Sequence, residues 1–172
     1  MLAVGEDAPD FEGPTADGGR LKLSELRGQP VVVYFFPKAG TLGCTRESLE
    51  LADRFPALRA AGVHVVGVSV DRAEDLRAFS QRCALPFPLV SDTDKSMARR
   101  FGVLSPFGFA KRVTFVLGPE GRVLQVIDAL LPGAHASLAA ARFLSDRPGP
   151  KGTSPAARDA ESADYSVPSR SK

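Results

Sequence analysis

The chain has 172 residues, of which 44% are hydrophobic and 24% charged, and its formal net charge is +2. This composition is typical of one globular domain with an appendage, whereas the balanced charge argues against nucleic-acid binding. No apolar run reaches the roughly 18 residues of a membrane span, two cysteines cannot build a disulfide framework or a zinc site, and Met1 to Asp10 lacks a secretory signal pattern, so we expect a soluble cytoplasmic protein.

The composition divides the chain into a folded part and a tail. Residues 1–145 alternate strand-like and helix-like segments, whereas residues 146–172 are rich in Pro, Ser and Ala and have almost no large apolar side chain. Such a segment cannot bury enough apolar surface to offset the entropy lost on ordering. We therefore predict one domain over residues 1–145 and a disordered tail over residues 146–172.

Two kinds of strand pattern occur in the folded part. Phe11 to Leu23 contains ADGG between two short extended pieces and is typical of a hairpin. Val31–Phe36 and Val63–Val70 are continuous β-branched and apolar runs, which indicates strands buried on both faces. Arg112–Leu117 and Arg122–Ile127 are joined by the turn sequence GPEG, which predicts a second hairpin.

Helical spacing of apolar residues predicts helices in the remaining segments. These are Cys44–Ala61, Ala73–Ala84, Asp94–Phe101 and His135–Leu144. Pro56 is expected to kink the first helix or to begin a new segment. The order of elements predicts an α/β fold with a central mixed β-sheet flanked by helices and an N-terminal β-hairpin. This order resembles the thioredoxin fold, although periodicity alone also fits other three-layer sandwiches.

Cys44 follows a loop from Pro37 to Gly43, whose proline and glycines indicate a sharp turn after the first buried strand. The first helix is expected to begin at or just before Cys44. A cysteine in the first helical turn faces unsatisfied N–H groups and the positive end of the helix dipole, and both favour the nucleophilic thiolate. Thr41 stands where a C-x-x-C dithiol would need its first cysteine, so the sequence predicts one reactive sulfur beside a hydroxyl.

The residues around Cys44 resemble those of a known family. Pro37, Thr41 and Cys44 match the PxxxTxxC pattern of peroxiredoxins, and YFFPKAGTLGCTRESLEL looks like the peroxiredoxin Q subfamily, also called bacterioferritin comigratory proteins. DFEGPTADGGRLKLSELRGQPVVVYFFP, LPFPLVSD and KRVTFVLGPEGRV are similar to further segments of the family. The resemblance covers about residues 5–144. It implies a thioredoxin-like peroxidase that reduces hydrogen peroxide and organic hydroperoxides with a thioredoxin-like reductant and needs no cofactor or metal.

The resemblance also implies a role for each matching residue. The thiolate of Cys44, the peroxidatic cysteine, would attack a peroxide oxygen and become a sulfenic acid. Thr41 would donate its hydroxyl to the peroxide, and Arg112 would stabilise the thiolate and orient the peroxide. Glu47, one helical turn beyond the cysteine, would hold the Arg112 guanidinium through a charge-assisted pair. Pro37 would shape the loop and shield the sulfur.

Two positions depart from the subfamily pattern. Leu42 stands where proline is common, so the loop is expected to be less rigid. Leu49 stands where some members have a resolving cysteine, which closes that route to a disulfide. Other members resolve through a cysteine on the next helix, which makes Cys83 the candidate, although in that variant the cysteine lies nearer Ser80.

Two roles for Cys83 remain open. As a resolving cysteine it would form an intramolecular disulfide with Cys44, which needs Cα atoms about 4.4 to 6.8 Å apart and therefore unwinding of the first turn of the Cys44 helix. As a structural cysteine it would pack with the apolar residues Leu76 and Phe79 on one helix stripe, and an external thiol would reduce Cys44 directly. We expect a monomer in either case.

The remaining polar residues are assigned structural roles. His64 lies in a strand pattern and His135 at a helix start, and neither is expected to activate Cys44. Asp71 and Asp75 flank a helix start and are expected to cap it.

Two other classes of function fit parts of the sequence. A non-catalytic redox-sensing or chaperone-like binding protein could keep the same fold, but the presence of Thr41, Cys44 and Arg112 together disfavours it. A thiol–disulfide oxidoreductase is disfavoured because C-x-x-C is missing.

Overall fold

The computed structural model describes residues 1–144 of the chain, so the predicted tail over residues 146–172 lies outside the described residues. The strands are β1 (Glu12–Pro14), β2 (Arg20–Lys22), β3 (Val31–Phe35), β4 (His64–Ser69), β5 (Leu89–Ser91), β6 (Val113–Leu117) and β7 (Val123–Ile127). The α-helices are α1 (Leu42–Ala60), α2 (Ala73–Cys83), α3 (Ser96–Arg100) and α4 (Pro132–Leu144), and a 3₁₀ helix spans Leu23–Leu26. Within residues 1–144, no helix is both long and apolar enough to cross a membrane.

The predicted α/β fold is confirmed. A five-stranded sheet has the order β5-β4-β3-β6-β7, in which β3 is parallel to β4 and antiparallel to β6. The β1–β2 hairpin forms a separate antiparallel pair, and β6 and β7 form the second predicted hairpin. The mixed sheet follows from the connections, because a helical crossover joins parallel strands and a tight turn joins antiparallel ones.

The central strand β3 separates two hydrophobic cores. Val32, Tyr34 and Phe36 contribute to the core that packs against α1, α2 and α4. The intervening side chains of β3 contribute to the core on the other face, which α3 and the N-terminal segment cover. All five residues of β3 are buried, as its unbroken apolar pattern predicted.

The register brings several chain segments to one edge of the sheet. Phe35, at the end of β3, pairs with Val68 near the end of β4 and with Val113 at the start of β6. Thr114 pairs with Ile127 at the end of β7. The loop before α1, the residue before β6 and the loop before α4 therefore meet at the same edge, where ligands commonly bind in open α/β sheets.

Two features differ from the sequence-based expectations. α1 continues through Pro56 as one helix, so the alternative in which Pro56 begins a new segment is wrong. A proline removes only one backbone donor, and packing of the other turns maintains the helix. Strand β5 was not predicted. Pro86 and Pro88 lie just before its three residues. Because prolines argue against a strand, so short a segment was not recognised as one.

Candidate active site

Cys44 lies in the first turn of α1. Thr41 is the N-cap residue, so Cys44 is the third residue of the helix, and its side chain is fully buried. The first four N–H groups of a helix have no partner within the helix, and the helix dipole places partial positive charge there. The predicted helix start is therefore confirmed, and the backbone around the sulfur favours negative charge.

Arg112 bridges Cys44 and Glu47. Its Nη2 donates a hydrogen bond to Cys44 Sγ at 3.3 Å, and its Nη1 donates to Glu47 Oε2. The Arg112 side chain is 17% exposed and that of Glu47 is fully buried. The structure thus brings together three residues that the sequence analysis had selected, and a single guanidinium faces both acidic groups.

Burial and charge act in opposite directions on this pair. Burial raises the pKa of Glu47 to about 7, and the Arg112 charge offsets only part of that effect. Burial also disfavours the charged guanidinium, but the negative charges available on Glu47 and Cys44 outweigh it and raise the pKa of Arg112. Near neutral pH the carboxyl therefore exchanges a proton while Arg112 remains a cation.

Gly43 allows the Arg112 guanidinium to reach the sulfur, which the sequence analysis did not anticipate. A Cβ atom on Gly43 would lie 2.9 Å from Arg112 Nη2 and 3.7 Å from Pro132 Cγ. The first distance is shorter than a van der Waals contact, so a side chain at position 43 would displace the guanidinium. The close approach comes from the tertiary structure, and the glycine is visible in the sequence only as a turn signal.

We expect Gly43→Ala to fold as well as the parent protein but to reduce peroxide about tenfold more slowly. The obstructed atom is the end of a flexible side chain, which can move away, and alanine favours a helix over glycine. The displaced guanidinium would lose its hydrogen bond to the sulfur, and one such bond is worth about a factor of ten or more. Stopped-flow peroxide kinetics and thermal unfolding measure the two effects.

The control for this variant is Leu42→Ala, which changes the neighbouring residue on the same helical turn, where the leucine side chain is 92% exposed. Its rate constant is expected to equal that of the parent. A parental rate constant in Gly43→Ala would show that the guanidinium position does not limit the reaction.

Thr41 and Pro37 lie in the loop that precedes Cys44. Thr41 is exposed, and its hydroxyl donates a hydrogen bond to the Lys38 carbonyl oxygen at 3.0 Å. It makes no side-chain cap on α1. Pro37 is half-buried at the end of β3. The Thr41 hydroxyl proton is therefore engaged within the loop, while the lone pairs of its oxygen remain available to accept.

Asp71 holds this loop and does not cap α2, so the capping prediction is wrong. Its carboxylate accepts hydrogen bonds from the Ala39 N–H, at 2.8 Å, and from the Ser69 hydroxyl. The N-cap position of α2 is Arg72, and Asp75 pairs with Arg72 on the surface. Because β3 and β4 end at the same edge of the sheet, the residue after β4 can reach the loop after β3.

Cys83 is the last residue of α2 and is half-buried, with a free thiol, as Cys44 also has. It packs against the same core cluster that contains Cys44. Burial raises the pKa of the Tyr34 phenol well above its usual range, and the charges that Glu47, Cys44 and Cys83 can carry raise it further. Both thiols therefore lie within electrostatic range of one buried phenol.

His135 lies close to Glu47, the residue that shares Arg112 with Cys44. It is fully buried on α4, and its Nδ1 lies 2.9 Å from Thr114 Oγ1 and 3.6 Å from Glu47 Oε1. The sequence analysis placed His135 at a helix start but did not predict that it lies close to Glu47. Its only sequence signal was a histidine in an otherwise small and apolar helix.

Comparison with known proteins identifies relatives of this chain. Residues 4–126 match the family model described as the AhpC/TSA family. Peroxiredoxin Bcp of Escherichia coli is 36% identical over an alignment of 141 residues, and the match covers 78% of this chain and 90% of the relative.

Two solved structures resemble the chain as well. The crystal structure of the peroxidoxin BcpB of Mycobacterium tuberculosis is 32% identical with a TM-score of 0.80, and the match covers 86% of this chain and 99% of that one. The bacterioferritin comigratory protein of Xanthomonas campestris, whose structures concern alkyl peroxide reduction, is 32% identical with a TM-score of 0.74, and the match covers 78% and 90% of the two chains.

These matches cover the thioredoxin-like fold and the segments that carry Cys44 and Arg112. They confirm the resemblance on which the sequence analysis relied. The chain therefore belongs to the AhpC/TSA family and is a peroxiredoxin of the Bcp and peroxiredoxin Q kind, a thiol peroxidase.

Proposed function

We propose that Cys44 is the peroxidatic cysteine and that Arg112, Thr41, Glu47 and Pro37 support it. The observation that carries the proposal is the hydrogen bond from Arg112 Nη2 to the buried Cys44 sulfur at the start of α1. A cation, a helix N-terminus and exclusion of water together favour a thiolate at the point where a peroxide must approach.

The first step is attack of the Cys44 thiolate on one peroxide oxygen. A sulfur–oxygen bond forms, the oxygen–oxygen bond breaks, and the other oxygen leaves as water or alcohol after it takes up a proton. Negative charge develops on the leaving oxygen, so the Cys44 N–H and the Arg112 guanidinium are the donors that stabilise it. The product is Cys44 sulfenic acid.

Thr41 binds the peroxide as an acceptor in this proposal, and the hydrogen bond from its hydroxyl to Lys38 supports that role. Since its hydroxyl donates to the Lys38 carbonyl, its oxygen can accept the O–H of a hydroperoxide without losing that bond. This orientation differs from the donor role that the resemblance implied. Pro37 limits the loop conformations and covers the sulfur from one side.

Cys83 resolves the sulfenic acid in the proposed cycle. Its thiol attacks the Cys44 sulfur, a disulfide forms, and the hydroxyl leaves as water. The shared core cluster of the two cysteines supports this step. The position of Arg82, next to Cys83 at the end of α2, also supports the disulfide step. Its guanidinium lies against the loop before Cys44, since a Cβ on Gly40 would be 3.1 Å from Arg82 Nη2. A thioredoxin-like dithiol then reduces the disulfide and restores both thiols.

Intact mass after one equivalent of hydrogen peroxide tests the resolving role. The reduced protein is expected to lose two hydrogens and both free thiols at monomer mass, because the disulfide forms within one chain. Cys83→Ser is the matched control and is expected to gain one oxygen at Cys44. A parent protein that gains one oxygen while Cys83 stays free would establish the alternative, in which Cys83 is structural and an external thiol reduces Cys44.

The substrates proposed are hydrogen peroxide and organic hydroperoxides. The named activity of the Xanthomonas campestris relative supports the organic class. We also propose a monomer, which the mass of the oxidised protein under native conditions tests. The cytoplasmic location stays a prediction of the sequence.

A further inference from the structure

One oxygen of Glu47 is left without a hydrogen bond. Glu47 Oε2 accepts from Arg112, but among the described residues no group donates to Oε1, although the side chain is fully buried. A buried acceptor without a partner costs about 1 to 3 kcal/mol, and more when it is charged. His135 Nδ1 lies 3.6 Å from this oxygen.

The contacts of His135 fix which of its ring nitrogens can exchange a proton. Nε2 lies 2.8 Å from the Ala129 carbonyl oxygen, which can only accept, so Nε2 carries a hydrogen in every protonation state. Nδ1 is therefore the nitrogen that gains or loses a proton, and it faces Thr114 Oγ1 and Glu47 Oε1. A closure of roughly 0.5 Å would bring Nδ1 and Oε1 within hydrogen-bond range.

Resting on the peroxidatic role proposed for Cys44, we propose that His135 is a positioning residue that shares one proton with Glu47. The proton lies between Glu47 Oε1 and His135 Nδ1. While it is there, the Glu47–His135 pair has no net charge, so the Arg112 cation, which also donates to Glu47 Oε2, is not drawn away from the Cys44 sulfur by a second negative charge. When it leaves, the Glu47 carboxylate competes with the sulfur for the same guanidinium.

The surroundings of the pair support this assignment. Burial raises the pKa of Glu47 to about 7, and burial lowers the pKa of His135, so the proton is on the carboxyl side below neutral pH and leaves as the pH rises through neutrality. The charged and titratable groups around Glu47 are Arg112, which precedes β6, Glu50 and Cys44 on α1, and Tyr34 on β3. The charges of Asp128 and Arg112 influence the pKa of His135. His135 Nδ1 lies 3.6 Å from Oε1, the oxygen of Glu47 that accepts no hydrogen bond.

The neutral imidazole stabilises the protonated carboxyl because its Nδ1 lone pair accepts the Oε1–H hydrogen. The ionised carboxyl gains nothing from that lone pair. Loss of Nδ1 therefore favours the Glu47 carboxylate, which draws the guanidinium away from Cys44 and shifts thiolate formation to higher pH.

The test measures the rate constant of Cys44 alkylation by iodoacetamide against pH, in a Cys83→Ser background so that one thiol reacts. His135→Gln keeps a donor for the Ala129 carbonyl but has no Nδ1. We expect it to raise the pH midpoint of the profile by about one unit, the low end of the effect of a nearby charge. Glu47→Gln imitates the protonated carboxyl and is expected to keep the parental midpoint or to lower it.

A double-mutant cycle separates proton sharing from a structural effect. In the Glu47→Gln background, His135→Gln is expected to leave the midpoint unchanged, because an amide has no proton to lose. The same shift in both backgrounds, or no shift in either, would overturn the proposal. Thr114→Val removes the other hydrogen bond of Nδ1 and is the control for loss of a buried contact; its midpoint is expected not to rise.

A second measurement covers the case in which His135→Gln fails to fold. The ¹⁵N resonances of His135 are followed with pH in the parent protein and in Glu47→Gln. The Nδ1 resonance is expected to shift with pH in the parent, as the hydrogen bond from Glu47 Oε1–H is lost, and to stay constant in Glu47→Gln, whereas a constant Nδ1 resonance in the parent would overturn the proposal. Failure of the peroxidatic assignment has a separate signature, which is unchanged peroxide turnover in Cys44→Ser.

Discussion

Cys44→Ser is expected to lower the rate constant of peroxide reduction by at least about 10³-fold, because loss of an enzyme nucleophile commonly costs that much or more. Serine preserves the size and most of the burial of the side chain, but its hydroxyl does not ionise near neutral pH, even beside Arg112. The fold should survive, since the substitution leaves α1 and the core around it unchanged. Stopped-flow kinetics with hydrogen peroxide and with a small organic hydroperoxide measure the loss.

Cys83→Ser is the matched control for this variant, since it removes the other thiol of the chain. Its first turnover is expected at the parental rate, because resolution follows the attack on peroxide. Catalytic cycling with a dithiol reductant should slow, since the disulfide route is lost. If Cys44→Ser kept the parental rate constant and Cys83→Ser lost it, the roles of the two cysteines would be reversed.

Local sequence signals were enough to select the central residues of the site. A cysteine after a proline- and glycine-containing loop indicates a helix N-terminus, and the structure has α1 begin at Leu42. Glu47 follows one turn later on the same helix, so its proximity to Cys44 is also local. Arg112 is distant in sequence, and only the resemblance to the peroxiredoxin segment KRVTFVLGPEGRV placed it near the sulfur.

The residues that sequence reasoning missed act through tertiary contacts. Asp71 and His135 were assigned to helix starts, because single-sequence reasoning assigns polar residues at such positions to caps. Asp71 accepts a hydrogen bond from Ala39, and His135 lies within hydrogen-bond distance of Thr114 and Ala129, all on other segments that the fold brings together. The sequence indicated Gly43 only as a turn residue. The reason that a glycine is needed there is the close approach of the Arg112 guanidinium, which is a long-range contact.

The strand pattern shows the same division between local and long-range information. The four longest strands are rich in β-branched and apolar residues, and all were predicted within one or two residues of their ends. Strand β5 has three residues, and its assignment depends on parallel pairing with β4. Pairing partners are long-range information, which periodicity does not carry.

Arg112→Ala is expected to slow peroxide reduction by about 10² to 10³-fold, which is the usual effect of removing one donor that stabilises developing negative charge. The variant loses both the hydrogen bond to Cys44 Sγ and the bond to Glu47. Arg112→Lys keeps the charge but has one ammonium in place of two separate N–H donors, so its rate constant is expected to lie between those of the parent and of Arg112→Ala. Arg122→Ala, which removes an exposed arginine paired with Asp7, is the matched control and should react as the parent does.

The same substitution should make stability depend more strongly on pH, because it leaves Glu47 buried without its cation. Burial already raises the pKa of Glu47 to about 7, above its ordinary value of 4.5. A carboxyl whose folded-state pKa is raised stabilises the fold while it is protonated, and that contribution is lost as the pH rises from the unfolded pKa through the folded one. Loss of the Arg112 charge raises the folded pKa further, so the denaturant midpoint of Arg112→Ala should fall more steeply than that of the parent above pH 7.

A second substitution separates the two functions of the guanidinium. In Arg112→Ala with Glu47→Gln, no carboxyl remains to ionise, so the steep fall in stability with pH should disappear while the peroxide rate constant stays low. That result would assign the slow reaction to the lost donor at the sulfur, since the fold would again be stable. Recovery of the rate constant along with stability would mean that Arg112 acts only by neutralising Glu47, and would remove it from the reacting centre.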